Sequence, residues 1–482
     1  GITGELYKQF AITITVAVAI SSNNAFTLAP ALSGLLLNSE TGKAKGFLLI
    51  FSRMVDGTRD KYIKVVDKLN RHIMVTVVIM AAFIVGTVGL FKTAPTGFLP
   101  LEDNGYFMSH IQLPDGASLN RTEQVVSQVT EMMLKVDGVS DVIAVSGYSI
   151  MSGAASNAAL IIPILTPWDE RTTKPEQWYN ILGKLNQQLA TIPAAQGFVF
   201  PMPAIMGLGT GGGFEAKVLD LKGGSADELA QAIRSLVFAA NQDSRLNGVF
   251  STYTANVPQY FIDINRDKAE TLGINIQEIF STLQSNFGSS YINDFNLYGK
   301  VYRVMIQAEA EYRQSITDLS RIHVRNRDND MVPLSALVAV SPILGPQVIN
   351  RYNMRKSATV QGNPASGFSS GDALIAFAGI AKQALPEGYA IEWTGTAAQE
   401  QEAGGYVLLI FSLAFIFAYL FLVAQYESWT APVAVILSVV IAMFGALLPI
   451  IVFPFMNNDL YAQVGIVMLI GLASKSAILI VE

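Results

Sequence analysis

The chain has 482 residues, a formal net charge of -6 and 51% hydrophobic residues. This length exceeds one ordinary domain, and this composition is too apolar for an ordinary soluble protein, so we expect membrane segments together with globular parts. The absence of cysteine excludes disulfides, thiolate metal sites and cysteine nucleophiles. The acidic balance, without a recurring basic stripe, argues against a nucleic-acid partner.

Two apolar segments flank a basic loop near the start of the chain. Residues 1–37 and 72–92 are each long enough to cross a bilayer, which takes roughly 20 residues. Residues 38–71 carry eight Lys or Arg against four Asp or Glu, in a pattern typical of an amphipathic helix on a membrane surface. The positive-inside rule predicts that this loop is cytoplasmic.

The long middle block, from Lys92 to Gly405, has no apolar span and mixes strand and helix periodicities. Counting crossings predicts that it is an α+β block outside the cytoplasm. A strand-helix-strand pattern occurs in 93–213 and again from Phe214, so we expect an internal duplication. Further along the block that follows Phe214, a long hairpin is expected to turn near Tyr298 and Gly299.

Three more apolar spans follow, at 404–424, 430–454 and 461–482, and the last contains Lys475. A lysine in mid-span costs about 2.5 to 3.5 kcal/mol, so we expect Lys475 to face a bundle interior, a carboxylate or a water path. A lysine that snorkels to the interface is the alternative, although apolar residues continue beyond it. Because the apolar run continues to the end of the sequence, we expect a truncated helix and a longer parent protein.

Two motifs that suggest enzymes have simpler interpretations. The glycine pattern of Gly207–Gly212 fits a dinucleotide fingerprint, but a strand and not a helix is predicted after it. Gly367–Gly371 fits a nucleophile elbow, but all three histidines precede Ser369, whereas that fold needs one after the serine. We therefore expect a flexible loop at the first motif and a helix cap at the second, and no enzyme activity.

Methionine and aromatic residues cluster in two parts of the first duplicated unit. Thioethers can bind Cu(I), but methionine is more often adaptable apolar lining, so we predict a pocket for varied amphipathic molecules and no metal site. The residues in question are Tyr148, Ile150, Met151, Phe198, Phe200, Met202, Pro203 and Met206.

Five stretches of the sequence resemble the resistance-nodulation-division (RND) multidrug efflux pumps of the hydrophobe/amphiphile class. They are PTGFLPLEDNGYFMSHIQLPDGAS, VFPMPAIMGLGTGGGFE, PQYFIDINRDKAETLGINIQEI, SSYINDFNLYGKVYRVMIQAE and GLASKSAILIVE. The resemblance covers essentially the whole chain and implies the C-terminal half of such a pump. The implied fold is a membrane α-helical bundle plus a periplasmic α+β portion, in which duplicated β-α-β porter subdomains carry an inserted docking hairpin subdomain.

The resemblance also implies a domain order. Residues 1–37 and 72–92 would be the sixth and seventh transmembrane helices, with 38–71 as the cytoplasmic linker helix between them. Residues 93–213 would be the first C-terminal porter subdomain, and 214–256 with 345–398 the second. Residues 257–344 would be the docking subdomain. The three spans that follow would be the eighth to tenth helices, so the first half of the family's sequence and its last two helices are not in this chain.

Site residues are implied position by position. Lys475 matches a lysine that, in the family, exchanges contacts with two aspartates of the fourth transmembrane helix as protons bind and leave. Gly147–Ala155, with Gly147, Ser152 and Gly153, matches the switch loop between two drug pockets. The docking hairpin is matched by Asp294–Val304 and its neighbour Asn293, with Phe295 and Gly299 inside it. Substrate-binding positions are matched by Ile143, Tyr148, Ile150, Met151, Phe198, Phe200, Met202 and His110.

We thus expect a homotrimeric transporter in the inner membrane of a Gram-negative bacterium, driven by the proton motive force without a cofactor. Its implied partners are membrane lipid, a periplasmic adaptor protein, an outer-membrane channel and amphipathic small molecules. Tyr148 and Ile150 stand where the family carries phenylalanines, which predicts a less aromatic pocket. The alternative function is a non-transporting, membrane-anchored scaffold or secretion accessory that uses the periplasmic block for protein contacts.

Overall fold

The computed structural model describes residues 2–36, 47–453 and 456–481. Positions 38–46 of the predicted linker lie outside these ranges, as do residues 37, 454 and 482 at the ends of three predicted spans.

The described residues form α-helices and β-strands that we number in chain order. The helices are α1 (Ile2–Leu36), α2 (Phe47–Arg71), α3 (Ile73–Thr93), α4 (Leu119–Met133), α5 (Trp178–Leu189), α6 (Ala226–Ala240), α7 (Arg266–Thr271), α8 (Ile276–Leu283), α9 (Ser370–Ala384), α10 (Gly395–Tyr426), α11 (Ala431–Val452) and α12 (Leu460–Val481). The strands are β1 (Met108–Gln112), β2 (Val139–Ser149), β3 (Gly153–Leu165), β4 (Gln196–Phe200), β5 (Phe214–Asp220), β6 (Leu246–Phe250), β7 (Val257–Ile264), β8 (Ser290–Leu297), β9 (Lys300–Ile306), β10 (His323–Arg325), β11 (Met331–Pro333), β12 (Val338–Gly345), β13 (Asn350–Tyr352), β14 (Arg355–Pro364) and β15 (Tyr389–Thr394).

Five of the described helices, α1, α3, α10, α11 and α12, are long and apolar enough to cross a membrane. They correspond to the five segments predicted as spans. Helix α10 begins at Gly395 and ends at Tyr426, so it extends well beyond the predicted span 404–424 on the N-terminal side. Its first turns contain Gln and Glu, which are good helix formers but not apolar, so hydropathy located only the apolar part of the helix.

Helices α3, α10, α11 and α12 pack around a shared apolar core. Buried Phe411, Val439, Leu447 and Ile470 lie in this core, and the rings of Phe91 and Phe411 meet edge to face at 5.7 Å. Close packing of this kind holds helices together where lipid on the outside is as apolar as the side chains. These four helices thus form the bundle to which the sheets are attached.

The other two long helices at the start of the chain pack loosely. Helix α1 buries none of its side chains and contacts α12 through the Tyr7 hydroxyl, which donates to Gln463 Oε1 at 3.1 Å. The exposed, charge-rich α2 carries ion pairs along its length, such as Arg71 with Asp67 at 2.8 Å. Both helices therefore leave apolar surface open in the chain as described.

The first sheet has the antiparallel strand order β2-β3-β1-β4. Helices α4 and α5 cover one of its faces, and the core there includes Ile111, Val129, Ile161, Leu185 and Val199. Since successive side chains of a strand point to opposite faces, the neighbours of Ile111 and Val199 along their strands lie on the face that these helices do not cover.

The second sheet repeats this topology. Its path is β6-β14-β5-β15, with β13 pairing an earlier portion of β14 on the same side as β6. Apart from the extra strand β13, each sheet is built from strand, helix, strand, strand, helix, strand in the same order. Helices α6 and α9 provide the second sheet's core with Leu236 and Phe377. The duplicated strand-helix-strand pattern in the sequence accounts for this repetition.

Residues Thr254–Val348, which lie in the sequence between β6 and β13, form a separate compact unit. These bounds are close to the 257–344 expected from the sequence. The unit has its own core, with buried Ala269, Ile279 and Leu334. It contains the predicted hairpin, β8 with β9, in which Tyr298 (φ +52) and Gly299 (φ +73) supply the positive φ angles of a two-residue turn.

The glycine motifs have the predicted structural roles. The residues of Gly207–Gly212 form a loop that leads into strand β5, not into a helix. Ser369 caps α9: its Oγ accepts the backbone N–H of Asp372 at 3.1 Å, and Asp372 in turn accepts the N–H of Ser369. The capped end of α9 also meets the chain after α3, where the N–H of Gly371 donates to the carbonyl of Thr96 at 3.2 Å.

This contact predicts a large effect for a small substitution. A Cβ at Gly371 would overlap Thr96 Oγ1 and lie 3.1 Å from its carbonyl oxygen. We expect Gly371→Ala to lower the free energy of unfolding by about 1 to 3 kcal/mol, as overpacking does elsewhere. The matched control is Gly379→Ala, on the exposed side of the same helix with open space around it, which should be neutral or stabilising. Equal melting temperatures for the two variants would contradict the prediction.

Candidate functional site: an aromatic cleft and a lysine in the last helix

Four of the predicted pocket residues lie on one face of the first sheet. His110 pairs with Leu160 on one side and Phe198 on the other, and Ile143 pairs with Ile162, two residues beyond Leu160. Paired residues share a face in an antiparallel sheet, so His110, Phe198, Phe200 and Ile143 all project from the face that α4 and α5 leave uncovered.

This face meets the second sheet through aromatic rings. The Phe198 ring centroid lies 3.9 Å from that of Phe250 on β6 and 5.6 Å from that of Phe200. Beside these rings is a cavity of about 430 Å³, whose polar lining includes Glu215 and Gln361. Its size falls in the range of small-molecule sites. Helix α5 contributes Tyr179, Leu182 and Asn186 to its lining, so this aromatic cleft lies at the β4 edge of the first sheet, between α5 and the second sheet.

The charge in the aromatic cleft is fully paired. Glu215 forms an ion pair with Lys217 at 3.0 Å and accepts hydrogen bonds from Gln361 and Thr394, each at 2.9 Å. Burial raises the pKa of Glu215, but the Lys217 charge and these hydrogen bonds together outweigh it, so the pKa lies below its usual value. The described cleft therefore presents aromatic surface and satisfied polar groups, which suits varied amphipathic molecules better than one charged ligand.

His110 is buried behind the cleft. Its side chain is 1% exposed and its ring packs at 5.6 Å from Phe198. Neither ring nitrogen makes a hydrogen bond of ordinary geometry with a described residue. The nearby Gln112 side chain acts on the pKa of His110 in the direction opposite to burial, without reversing it. Burial lowers the pKa of His110 to about 4, so the imidazole is neutral at ordinary pH. His110 thus supports Phe198 and does not line the described cavity.

The segment predicted as the switch loop is largely a β-hairpin. Strand β2 continues to Ser149, which pairs with Gly153 at the start of β3, and Ser149 Oγ accepts the backbone N–H groups of Met151 and Ser152 at 3.2 and 3.3 Å. Gly147 and Gly153, both at φ +79, permit a bulge and a tight reversal while strand pairing continues on either side of the turn. The role of this segment as a switch stays a prediction.

Several other predicted pocket residues are not brought to the cavity. Ile143 and Tyr148 are exposed on the first sheet, at 50% and 43%. The predicted residues that do not line the cavity are Ile143, Tyr148, Ile150, Met151, Met202 and His110. Of the predicted pocket residues, Phe198 and Phe200 therefore line the cavity. The others lie around it or on the hairpin formed by β2 and β3.

Lys475 lies on a face of α12 that the described bundle does not cover. Its neighbour Ser474 is buried and donates to the carbonyl of Ile470 at 2.7 Å, whereas Lys475, Leu472 and Leu479 are exposed. No ion pair joins Lys475 to a residue within the three described ranges. The lysine and the apolar residues around it thus form an outward surface on the last helix.

The hairpin of the separate unit is exposed and apolar. Phe295 stacks on Tyr302 at 5.4 Å across the two strands, and Tyr298 at the tip is 90% exposed. Asn293 and Asp294 pair in register with Val304 and Arg303. An exposed apolar ribbon of this kind is typical of a surface that contacts another protein.

Sequence reasoning missed the second wall of the cleft. Phe250, Glu215 and Gln361 line the cavity together with Phe198, although they lie on separate strands of the second sheet. Local sequence patterns carry no signal for such a meeting. The duplicated pattern was the available hint, because two sheets with the same topology can face each other.

A model of the AcrB/AcrD/AcrF family matches residues 1–482. The chain belongs to this family of RND multidrug efflux transporters. It is 36% identical to the multidrug export protein AcrF of Escherichia coli (strain K12), over 100% of the chain and 47% of AcrF. It is also 36% identical to the multidrug/solvent efflux pump membrane transporter MepB of Pseudomonas putida and 34% identical to the multidrug resistance protein MdtF of Escherichia coli (strain K12), covering 46% and 47% of them.

The chain spans about half the length of the curated relatives it matches. Membership of the family and the five apolar helices make it a multi-pass inner-membrane protein with a periplasmic portion. The matched relatives are named as transporters and export proteins, not as enzymes.

Proposed function

We propose that the chain is part of a proton-driven pump that exports amphipathic compounds from the cell envelope. The observation that carries the proposal is the aromatic cleft where two sheets of the same topology meet, in a chain that also has a membrane bundle. The relatives AcrF and MepB, named for multidrug export and for multidrug and solvent efflux, support it. The two sheets would be the porter subdomains, 93–213 and 214–256 with 345–398.

Transport would proceed by opening and closing the cleft. In the described conformation Phe198 touches Phe250, so the aromatic walls are in contact. Separation of the sheets would expose the rings to a substrate, and closure would expel it, with proton binding in the membrane shifting the balance between the two states. The contact of α9 with the chain after α3, through Gly371 and Thr96, offers a mechanical link between bundle and second sheet.

The remaining roles follow from the same proposal. The exposed face of α12 would pack against further helices of the longer protein, where Lys475 would meet the acidic partners that bind protons. Residues 257–344 would be the docking subdomain, whose exposed hairpin contacts protein neighbours in a homotrimer or a periplasmic adaptor and outer-membrane channel. The described half is not expected to transport by itself.

The cleft can be tested by a reversible cross-link. Because this chain contains no cysteine, Phe198→Cys with Phe250→Cys introduces a unique thiol pair into this part of the full-length protein. A short bifunctional thiosulfonate reagent should hold the two sheets together and stop dye export, because the sheets could then no longer separate. Dithiothreitol should restore export, as measured by dye accumulation in cells.

The single variants, Phe198→Cys and Phe250→Cys, are the controls, because each can react with the reagent without bridging the cleft. The reagent should leave the dye export of these single variants unchanged. Full export by protein whose bridge is verified by mass spectrometry would exclude movement of the cleft as the transport step and would favour the scaffold alternative.

A further inference from the structure

A second cavity lies where the C-terminal end of α3 meets the N-terminal ends of α10 and α12. It measures about 220 Å³ and shares no lining residue with the aromatic cleft. One part of its wall is apolar, with Phe91, Phe98, Val407 and Leu460. The other part is polar and includes Thr96, Glu400, Asn458 and Gln463.

Two acceptors of the polar wall, the Glu400 carboxylate and Asn458 Oδ1, have few partners or none among the described residues. Among hydrogen bonds within the described ranges, the Glu400 carboxylate accepts one, from Ser370 Oγ at 3.1 Å, and it has no ion pair there. Asn458 is 3% exposed, and its Oδ1 has no hydrogen-bond partner among the described residues. The amide nitrogen of Gln463 does not supply it, because it donates to the backbone carbonyl of Asn458.

A buried acceptor without a partner is costly, so a site of this kind suits a ligand that brings a donor. The carboxylate beside it favours a positive charge, and a cation would in turn favour the ionised carboxylate. An inorganic ion would gain no free energy from the apolar wall, whereas a carbon chain buried against it would be stabilised. The chemistry that satisfies all three features is a protonated amine on an apolar chain.

We propose that this cavity binds the ammonium group of an alkylamine, with Glu400 as its counter-ion and Asn458 Oδ1 as the acceptor of one N–H. The carbon chain packs on Phe91, Phe98 and Leu460. This inference rests on the proposed export function and names cationic amphiphiles as one class of exported compound, recognised at a place separate from the aromatic cleft.

Gly404 gives the ligand a way in. It lines the cavity and is itself exposed among the described residues, so on the described helices the cavity can be reached at this residue. A Cβ at Gly404 would meet no atom within 4 Å. A larger side chain there can cover the opening without disturbing the packing. Its neighbour Gly405 has equally open surroundings but does not line the cavity.

The test uses the full-length protein in lipid nanodiscs, titrated calorimetrically with octylammonium chloride and corrected with protein-free nanodiscs. Glu400→Gln, which keeps the size of the side chain but removes the charge, should weaken binding about tenfold or more, as expected for a lost charge-assisted hydrogen bond. Glu402→Gln is the matched control, since Glu402 is exposed on the same helix and outside the cavity. Gly404→Leu should weaken binding, and Gly405→Leu should not.

A ligand series checks the same geometry without any substitution. Octyltrimethylammonium has the charge but no N–H for Asn458, and octanol has the chain but no charge, so both should bind more weakly than octylammonium. Equal affinity of the wild type and Glu400→Gln for octylammonium would overturn the inference. So would octanol binding as tightly as octylammonium, or displacement of octylammonium when choline chloride is replaced by sodium chloride, which would indicate an inorganic cation site.

These results separate the inference from the function on which it rests. If the wild-type protein exports a neutral dye and octylammonium binding ignores Glu400, the alkylamine site alone is refuted. If the wild-type protein exports no dye at all, the export function is refuted, and the role given to the site as a place for exported amines falls with it.

Discussion

Replacement of Lys475 by Met in the full-length protein is expected to abolish export. The lysine lies about 22 Å along α12 from Leu460, at 1.5 Å per residue, which is inside a hydrocarbon core of about 30 Å. A charge at that depth is kept only where a partner or a water path compensates it. Methionine retains much of the length and flexibility of the side chain but removes the charge, so packing should survive while the response to protons is lost.

Dye accumulation in cells is the measurement, with membrane abundance and trimer formation checked in parallel. The matched control is Lys92→Met, in the last turn of α3, where the side chain is exposed at the end of a span. This variant should keep export. Unchanged dye export by Lys475→Met at normal abundance would refute the proposed role of the lysine in proton coupling.

His110 is expected to make the first sheet sensitive to acid. The folded protein holds the pKa of His110 at about 4, against 6.5 for a free histidine, because the ring is buried without a good hydrogen-bond partner. The unfolded chain therefore takes up a proton before the folded one does. Above pH 6.5, His110 does not reduce the free energy of unfolding. As the pH falls from 6.5 towards 4, the free energy of unfolding decreases progressively, by about 3 kcal/mol in total at about 1.4 kcal/mol per pH unit.

His110→Met should remove this loss, since methionine is apolar and does not titrate. The variant should be more stable than the wild type by about 2 kcal/mol at pH 5, and the difference between the two should be smaller at pH 7.5. Thermal unfolding followed by tryptophan fluorescence can measure this, because Trp178 packs against the core of the first sheet. His323→Met is the control, because His323 is exposed in the separate unit. Parallel pH profiles for wild type and His110→Met would contradict the prediction.

The membrane spans, the hairpin turn and the cap of α9 could be predicted because each depends on neighbouring residues. A run of about 20 apolar residues is sufficient to suggest a span, and Tyr298 with Gly299 is sufficient for a two-residue turn. Ser369 with Asp372 is likewise sufficient for a reciprocal cap. The first turns of α10 lie outside the predicted span for the converse reason: they are polar and are helical through backbone hydrogen bonds, which hydropathy does not report.

The sequence by itself determined the family, the apolar spans and the duplicated strand-helix-strand pattern, because these reside in composition, period and local turn chemistry. The tertiary structure alone decided which side chains meet. Phe198 contacts Phe250 across two sheets, and Glu400 and Asn458, far apart in the sequence, line one cavity. It also decided that His110 is buried and that the predicted switch loop is a hairpin. Burial and long-range contacts depend on how whole sheets and helices pack, which no local pattern encodes.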